Sequence, residues 1–526
     1  MDERPVVGAA DALNEARVER DDLAISAPGE ALGATVVIET PERELLDEAA
    51  PETPAEAAEP FSSLVPAIIG GALMMQTLNA TVLANALPTM ARELHEDPVH
   101  LNTAITVYLL ASAVFLPISG WMADRFGAKR IFLIAIVGYA TACMACGLAQ
   151  NLTELLLARM GAGAAGAMMG PVGRLVLLRS TPKHNLVRAM SVLTMPALLG
   201  PVIGPPIGGL IVTYGSWRWI FFLNLPIALI GVVLVWRFIK DVREEGTAPL
   251  DWTGLVLTGV GMAGVVWGFD NLGRGPLPGW AVAAMMGGGV ACLALYVWHA
   301  SRAAHAILDL KLLKIQTFTA SVVGGAFMRM GMGATPFMLA LLLQVAFGLS
   351  ALQAGLMTFA SAAAALVMKT CAPPILARFG FKRTLSVNAV IVAAMFMAYA
   401  LFKPGTPHWV IYMVLLAGGF FRSLQFTSLN GMAFADIDHA QMSRASTMST
   451  MGQQLAQSMG IGMAAMFLRL SMLSSHATHL TADTIAPAFI AVGVVALISV
   501  LFFLPLPTNA GEGLHGVARG GRVARA

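Results

Sequence analysis

The chain has 526 residues, 57% hydrophobic and 12% charged, with a formal net charge of +2 and a mean hydropathy of +0.71. Soluble domains carry about 25% charged residues, so a chain this long and this apolar cannot hide its apolar surface in one water-soluble core and needs lipid as solvent. Nothing in the composition supports nucleic-acid binding.

Residues 1–60 hold sixteen acidic residues against four Arg, which leaves the remainder strongly basic. Segment 1–61 is rich in Ala, Glu and Pro and has no spanning run, so it reads as a disordered acidic cytoplasmic tail. It lacks the basic start, apolar middle and small-residue cleavage site of a signal peptide. A membrane helix needs about 20 mostly apolar residues. Fourteen such runs follow: 64–88, 100–122, 131–149, 154–177, 188–213, 217–239, 252–270, 280–299, 317–344, 351–371, 384–402, 409–434, 445–470 and 485–506. The 445–470 run is the most polar, being rich in Ser, Thr and Gln. Cys143 and Cys146 form a CxxC inside the third run without His or acidic company, and read as small packing residues.

Arg-Phe-Gly-x-Lys-Arg occurs at 125–130 and again at 378–383, each time in a short turn after a spanning run. Runs 1–6 therefore correspond to runs 9–14, and runs 7 and 8 form an inserted hairpin. The predicted fold is all-α and polytopic: two six-helix lobes plus a two-helix hairpin, fourteen transmembrane helices in total. The segments are a six-helix lobe at 62–240, the hairpin at 241–300, a second lobe at 301–507 and a cytoplasmic tail at 508–526. Duplicated halves with a substrate site between them near the midplane are a transporter architecture. One set of loops carries sixteen Lys and Arg and the other five, so the first set and both tails are expected in the cytoplasm of a bacterial inner-membrane protein.

Gly120-Trp-Met-Ala-Asp124-Arg125-Phe-Gly127-Ala-Lys129-Arg130 resembles the loop signature of the major facilitator superfamily. Leu156-Leu-Ala-Arg159 with Gly163 and Gly166 resembles the family's fourth-helix motif. Gly200-Pro201-Val-Ile-Gly204-Pro205-Pro206-Ile-Gly208-Gly209 resembles the fifth-helix motif of its antiporters. Leu78-Asn79-Ala-Thr81 through Ala86-Leu87-Pro88, and Trp217-Arg218-Trp219 through Asn224-Leu-Pro226, are similar to the fourteen-span drug:proton antiporters. Ala167-Met-Met-Gly-Pro171-Val-Gly-Arg174 resembles a multidrug-resistance subgroup. The likeness covers about residues 62–507. Two positions depart from it: Asn79 replaces an acid, and Ala162 replaces Gln.

The resemblance implies that Asp124, Arg125, Gly127, Lys129 and Arg130 form a conformational gate, in which the Asp124 carboxylate accepts charge-assisted hydrogen bonds from an Arg or a helix N-terminus. The alternative is a solvated loop charge. In the second copy Ala377 replaces the acid, so the gate is asymmetric. The Gly and Pro residues of the fifth run make a bent, closely packed seam. Arg159, inside the fourth run, either orients a proton-relay water or substrate group or is a structural Arg satisfied by carbonyls. With Asn79 neutral, the titratable candidates for coupling are Asp270 and Glu154, at outer helix ends, where an interfacial anchor is the competing reading. Arg329 and Arg422 lie near mid-span; with Gln425 they are candidate cavity residues, and a cavity so lined is electropositive.

The expected function is secondary efflux of small molecules by alternating access, driven by protons. The alternative is transport of an anionic metabolite or metal chelate. No catalytic cluster, P-loop or filter loop is present, so enzyme, ATP-driven pump and channel readings have no support. No cofactor or metal is expected. The expected partners are a small-molecule substrate, protons and the bilayer; a periplasmic adaptor follows only by analogy with fourteen-span relatives.

Overall fold

The computed structural model describes residues 63–181, 185–239, 249–272, 277–303, 306–438, 441–477, 479–507 and 510. The tail at 1–61 lies outside the described residues, as does the tail at 508–526 apart from residue 510. In lipid every backbone donor and acceptor must find its partner within the segment, so the apolar runs become helices. The described residues contain no strand. The first half comprises α1 (Leu64–Glu93), α2 (Thr103–Phe126), α3 (Ala128–Leu148), α4 (Leu152–Ser180), α5 (Leu186–Tyr214) and α6 (Asn224–Phe238). The hairpin is α7 (Trp252–Asn271) and α8 (Gly279–Ala300). The second half comprises α9 (Gly325–Ala340, extended by π turns at Ala320–Gly324 and Leu341–Ala346), α10 (Ala351–Ala398), α11 (His408–Ala433), α12 (Met442–Ser474) and α13 (Ala482–Phe503).

Twelve of the described helices are long and apolar enough to cross a membrane. The difference from the expected fourteen has two sources. The predicted runs 351–371 and 384–402 form the single long element α10, interrupted only at Gly380 (φ 72°, ψ 165°). The predicted run 445–470 lies in the long helix α12, whose Ser, Thr and Gln keep its hydropathy low.

Gly380 occupies the same place in its repeat as Gly127, which breaks the chain between α2 and α3 with φ 97°. Only glycine enters this left-handed region without a steric cost. The helix pairing also repeats. α1 packs on α5 and α2 on α4; in the second half α9 packs on α12 and α10 on α11. The halves meet where α5 lies against α10 and where α2 lies against α12. α7 contacts both α2 and α12, whereas α8 packs chiefly on α7.

α5 contains Pro196, Pro201, Pro205 and Pro206 and remains helical because α1 compensates. Pro201 lacks the N–H that would bond the carbonyl four residues earlier, Ala197. Thr77 Oγ1 on α1 stands 3.1 Å from that carbonyl oxygen. Gly200, Gly204 and Gly208 form a stripe that faces Thr77, Thr81 and Val82. A Cβ at Gly204 would stand 2.1 Å from Thr81 Oγ1, and one at Gly200 2.2 Å from Thr77 Oγ1.

Exposed aromatic side chains mark both ends of the bundle, as at membrane interfaces. Tyr214, Trp219, Trp280 and Trp409 ring the end opposite the basic turns, and Trp236, Trp252 and Trp298 ring the other.

Candidate functional site

Asp124 ends α2 and accepts a 2.8 Å hydrogen bond from Arg179 Nη2 at the end of α4. Both side chains are partly buried, which limits solvent screening without abolishing it. This partner of the predicted gate acid lies in the same half of the molecule, and the bond braces α2 against α4. Lys129 Nζ donates to Trp236 O (2.8 Å) and ties the start of α3 to the end of α6. Arg125 and Arg130 are exposed. In the second copy Ala377 is exposed, with no acid at this position.

Arg159 is 1% exposed and lies at the meeting of four helices. Its Nη1 donates to Asn79 Oδ1 on α1 (2.9 Å) and its Nε donates to Ala104 O on α2 (3.2 Å). The guanidinium carbon stands 4.3 Å from the centre of the Tyr108 ring. Asn79 Nδ2 in turn points at Cys143 Sγ on α3 (3.5 Å). Cys143 and Cys146 are buried free thiols, and no metal-ligating cluster occurs among the described residues. No carboxylate pairs with Arg159 among the described residues, so its charge rests on an amide, a carbonyl and a π-face.

Asp270 was expected at the outer end of the hairpin helix. The structure buries it to 2% exposure, and no other Asp or Glu among the described residues is buried. Its Oδ2 accepts from Thr103 Oγ1 of α2 (3.3 Å), and it stands against Gly462 of α12. Asp270 therefore touches the hairpin, the first half and the second half at once. Thr103 precedes Ala104, the residue whose carbonyl receives Arg159. Glu154, the other acid candidate, is exposed and accepts from Gln150 N (2.9 Å) at the start of α4.

Two of the expected cavity residues are sealed between helices. Arg329 is 0% exposed; it donates to Ser321 O (2.7 Å) and to Asn430 Oδ1 (3.1 Å) and packs α9 against α11. Gln425 is also buried; it donates to Leu385 O (3.2 Å) and accepts from Asn388 Nδ2 (2.8 Å), joining α11 to the second arm of α10. Both bear the polar groups that any interhelical contact in lipid requires, and a single sequence carries no signal of which helix face those groups meet. Arg422 alone of this set is partly exposed, with Nη2 donating to Ser361 Oγ (3.1 Å).

The antiporter-like helix does more than the sequence foretold. Gly200, Gly204 and Gly208 serve the seam with α1, but Gly209 turns the other way. A Cβ there would stand 2.5 Å from Ala351 O on α10, across the boundary between halves. Gly355 answers it, 2.3 Å from Pro205 O by the same measure. Asn85 Nδ2 donates to Ala351 O (3.4 Å), Gln344 Nε2 to Asn85 O (2.9 Å), Leu352 N to Thr213 Oγ1 (3.0 Å) and Ser458 Oγ to Thr106 O (3.3 Å). These contacts lie toward the end opposite the basic turns. Pro201 lies within α5 on the turn that Thr77 of α1 supports. Asn85 and Thr213 were not singled out from the sequence, since only the α5–α10 approach gives them their role.

Residues 69–461 match the family profile of the Major Facilitator Superfamily. The chain is 32% identical over 450 residues to the "Putative multidrug resistance protein MdtD" of Salmonella paratyphi A, a match covering 84% of this chain and 94% of that protein. The protein of the same name from Salmonella typhimurium matches at 32% over the same shares. Among solved structures, a D-xylose-proton symporter superposes with a TM-score of 0.62 at 15% identity, covering 86% of this chain and 98% of that one. A bacterial homologue of the human lysosomal transporter Spinster gives 0.57 at 16%, covering 87% and 98%. With duplicated helix pairing, paired glycine turns and these matches in hand, the chain belongs to the major facilitator superfamily of membrane transporters.

Proposed function

We propose that this transporter exports small molecules by alternating access in exchange for protons, with fourteen membrane crossings and both termini on the cytoplasmic face of a bacterial inner membrane. The observation that carries the reading is the seal between halves at one end, where Gly209 meets the Ala351 backbone and Gly355 meets Pro205. With that end shut, the reading expects the space between the halves to open toward the basic turns. Close backbone contact through glycine suits a joint that must part and reform.

The count of fourteen treats α10 as two crossings, 351–379 and 381–401, divided at Gly380, and adds α12. Each arm is of spanning length at about 1.5 Å per residue. An even count puts both ends on one side, and the basic loops select the cytoplasm.

Asp270 is the proposed proton-carrying group, and it supplies from the hairpin the acid that Asn79 does not supply from α1. Its position between α2 and α12 supports this, because relative motion of the halves changes what the carboxylate faces. The names of the relatives support small toxic compounds as cargo. A second reading, an anionic metabolite or chelate, is favoured by Arg159 lacking a carboxylate partner and by the partly exposed Arg422.

The test is uptake into inverted vesicles of a cationic dye and an organic anion, with and without an acid-inside gradient. The export reading expects gradient-dependent dye uptake that a protonophore abolishes and that D270N abolishes as well. Anion uptake without dye uptake selects the second reading. Gradient-independent uptake overturns proton coupling.

A further inference from the structure

We propose that the cleft between α8 and α12 is a binding site for one phospholipid, its phosphate held by Arg469 and an acyl chain lying along the apolar floor. Two cavities meet at this arginine. The larger, of about 430 Å³, lies between the hairpin and α12 and is lined by Leu277, Val282, Ala283, Met286, Leu470 and Leu473 among others. The smaller, of about 330 Å³, is lined by Asp97, His100, Arg469 and His476 together with apolar residues. Both volumes fall within the about 300–1,000 Å³ of ligand sites. Arg469 and Leu473 line both cavities, so a smaller, more polar pocket and a larger, more apolar channel are joined at a cation.

The cleft exists because α8 packs chiefly on α7, and residues of α8 and α12 line the space between them. Arg469 makes no hydrogen bond or ion pair with any described residue and is partly exposed. By contrast Arg218 pairs with Glu93 (3.3 Å), Arg444 with Asp309 (3.5 Å) and Arg179 with Asp124 (2.8 Å). The one carboxylate beside Arg469, Asp97, directs Oδ1 to Val99 N (2.6 Å) and caps a short helix.

Depth agrees with the assignment. Gly279 and Arg469 line the same cavity, and Trp280, 76% exposed, begins α8 at that level. Arg469 precedes the end of α12 by five residues, about 7.5 Å at the helical rise. That is headgroup depth, where a lipid phosphate lies and an interfacial Trp is anchored. A guanidinium is weakly hydrated and grips phosphate through two parallel N–H bonds. An apolar floor with a cation at its mouth complements an amphipathic anion, which the leaflet supplies at high local concentration.

The full-length protein, delipidated in mild detergent, is titrated with phosphatidylglycerol and phosphatidylethanolamine and the adducts are counted by native mass spectrometry. One tightly held phospholipid is expected. Arg469→Ala weakens it about tenfold, the loss of a charge-assisted bond. Arg469→Lys weakens it less. Ala283→Trp, which fills the channel from an exposed position on α8, weakens it with the charge intact. Adducts identical in wild type, R469A and A283W overturn the proposal. So does equal binding of a diacylglycerol with the same chains, or displacement of the lipid by millimolar inorganic phosphate, since each shows that head and tail are not read together.

Discussion

Arg159 carries a full charge to a place where its partners are an amide, a backbone oxygen and a phenol ring. A buried ion is costly unless its donors are met, so these contacts hold the charge in place rather than strengthen the fold. Asn79→Asp would place a carboxylate where Oδ1 now stands 2.9 Å from the guanidinium. The variant is expected to gain about 1.5–3 kcal/mol at neutral pH, read as a higher melting temperature in detergent. An unchanged melting temperature would show that Asn79 and Arg159 are not coupled. The second prediction concerns Asp251, outside the membrane at the start of α7. Burial pushes its carboxyl upward. Bonds from Gly254 N (2.7 Å), from His299 (2.8 Å) and from Ile307 N (3.3 Å), together with the charge of His299, outweigh this and hold it below its ordinary value. Its contribution is therefore complete above the ordinary carboxylate value of about 3.9 and is lost as pH falls through the lowered one. Asp251→Ala should cost about 1 kcal/mol at pH 7 through the lost cap, and the gap between variant and wild type should narrow only in strong acid.

At the scale of helices, α5 shows what a sequence reveals and what it withholds. Its prolines and glycines announce a bent, tightly packed element. That α1 supplies Thr77 to the carbonyl left by Pro201 depends on a contact 120 residues away, and nothing local encodes it. Gly204→Ala is expected to cost about 1–3 kcal/mol by overpacking against Thr81. Combining it with Thr81→Ala, which removes the clashing hydroxyl, should recover part of that loss. Strict additivity of the two in melting curves would mean that the seam does not exist. The same reasoning explains the polar residues of the second half. Arg329, Gln425 and Asn388 bond from one helix to the next, so a deep polar residue in lipid marks a helix contact at least as often as a cavity.

For the whole molecule, hydropathy alone located the helical runs, because the length of an apolar run is a local property set by bilayer thickness. It was weaker on the count. α12 trades apolar residues for Ser, Thr and Gln because it faces α2, α7 and α9 rather than lipid alone. The Arg-Phe-Gly-x-Lys-Arg repeat pointed to the duplication, and the shared backbone break at Gly127 and Gly380 gives its physical reason. The seal between halves was not legible, since close glycine–backbone contacts and single side-chain bonds such as Leu352 N to Thr213 Oγ1 join residues far apart in the chain and carry no local signature. It is directly testable. In a background with Cys292 and Cys371 changed to Ser, Thr213→Cys with Leu352→Cys should bridge the halves through a short bifunctional thiol reagent. Transport should stop, returning about to wild-type rate when the bridge is cleaved. Unimpaired transport with the bridge intact would exclude separation of the halves at this point as part of the cycle.

The two glycine breaks both take a positive φ but differ in bracing. The first sits beside an acid clasped by Arg179; at the second, Ala377 leaves the corresponding corner without an acid. Thermal agitation thus meets less electrostatic resistance at the corner between the arms of α10 than at its counterpart. The corner between the arms of α10 should therefore exchange its amide hydrogens faster than the corner between α2 and α3.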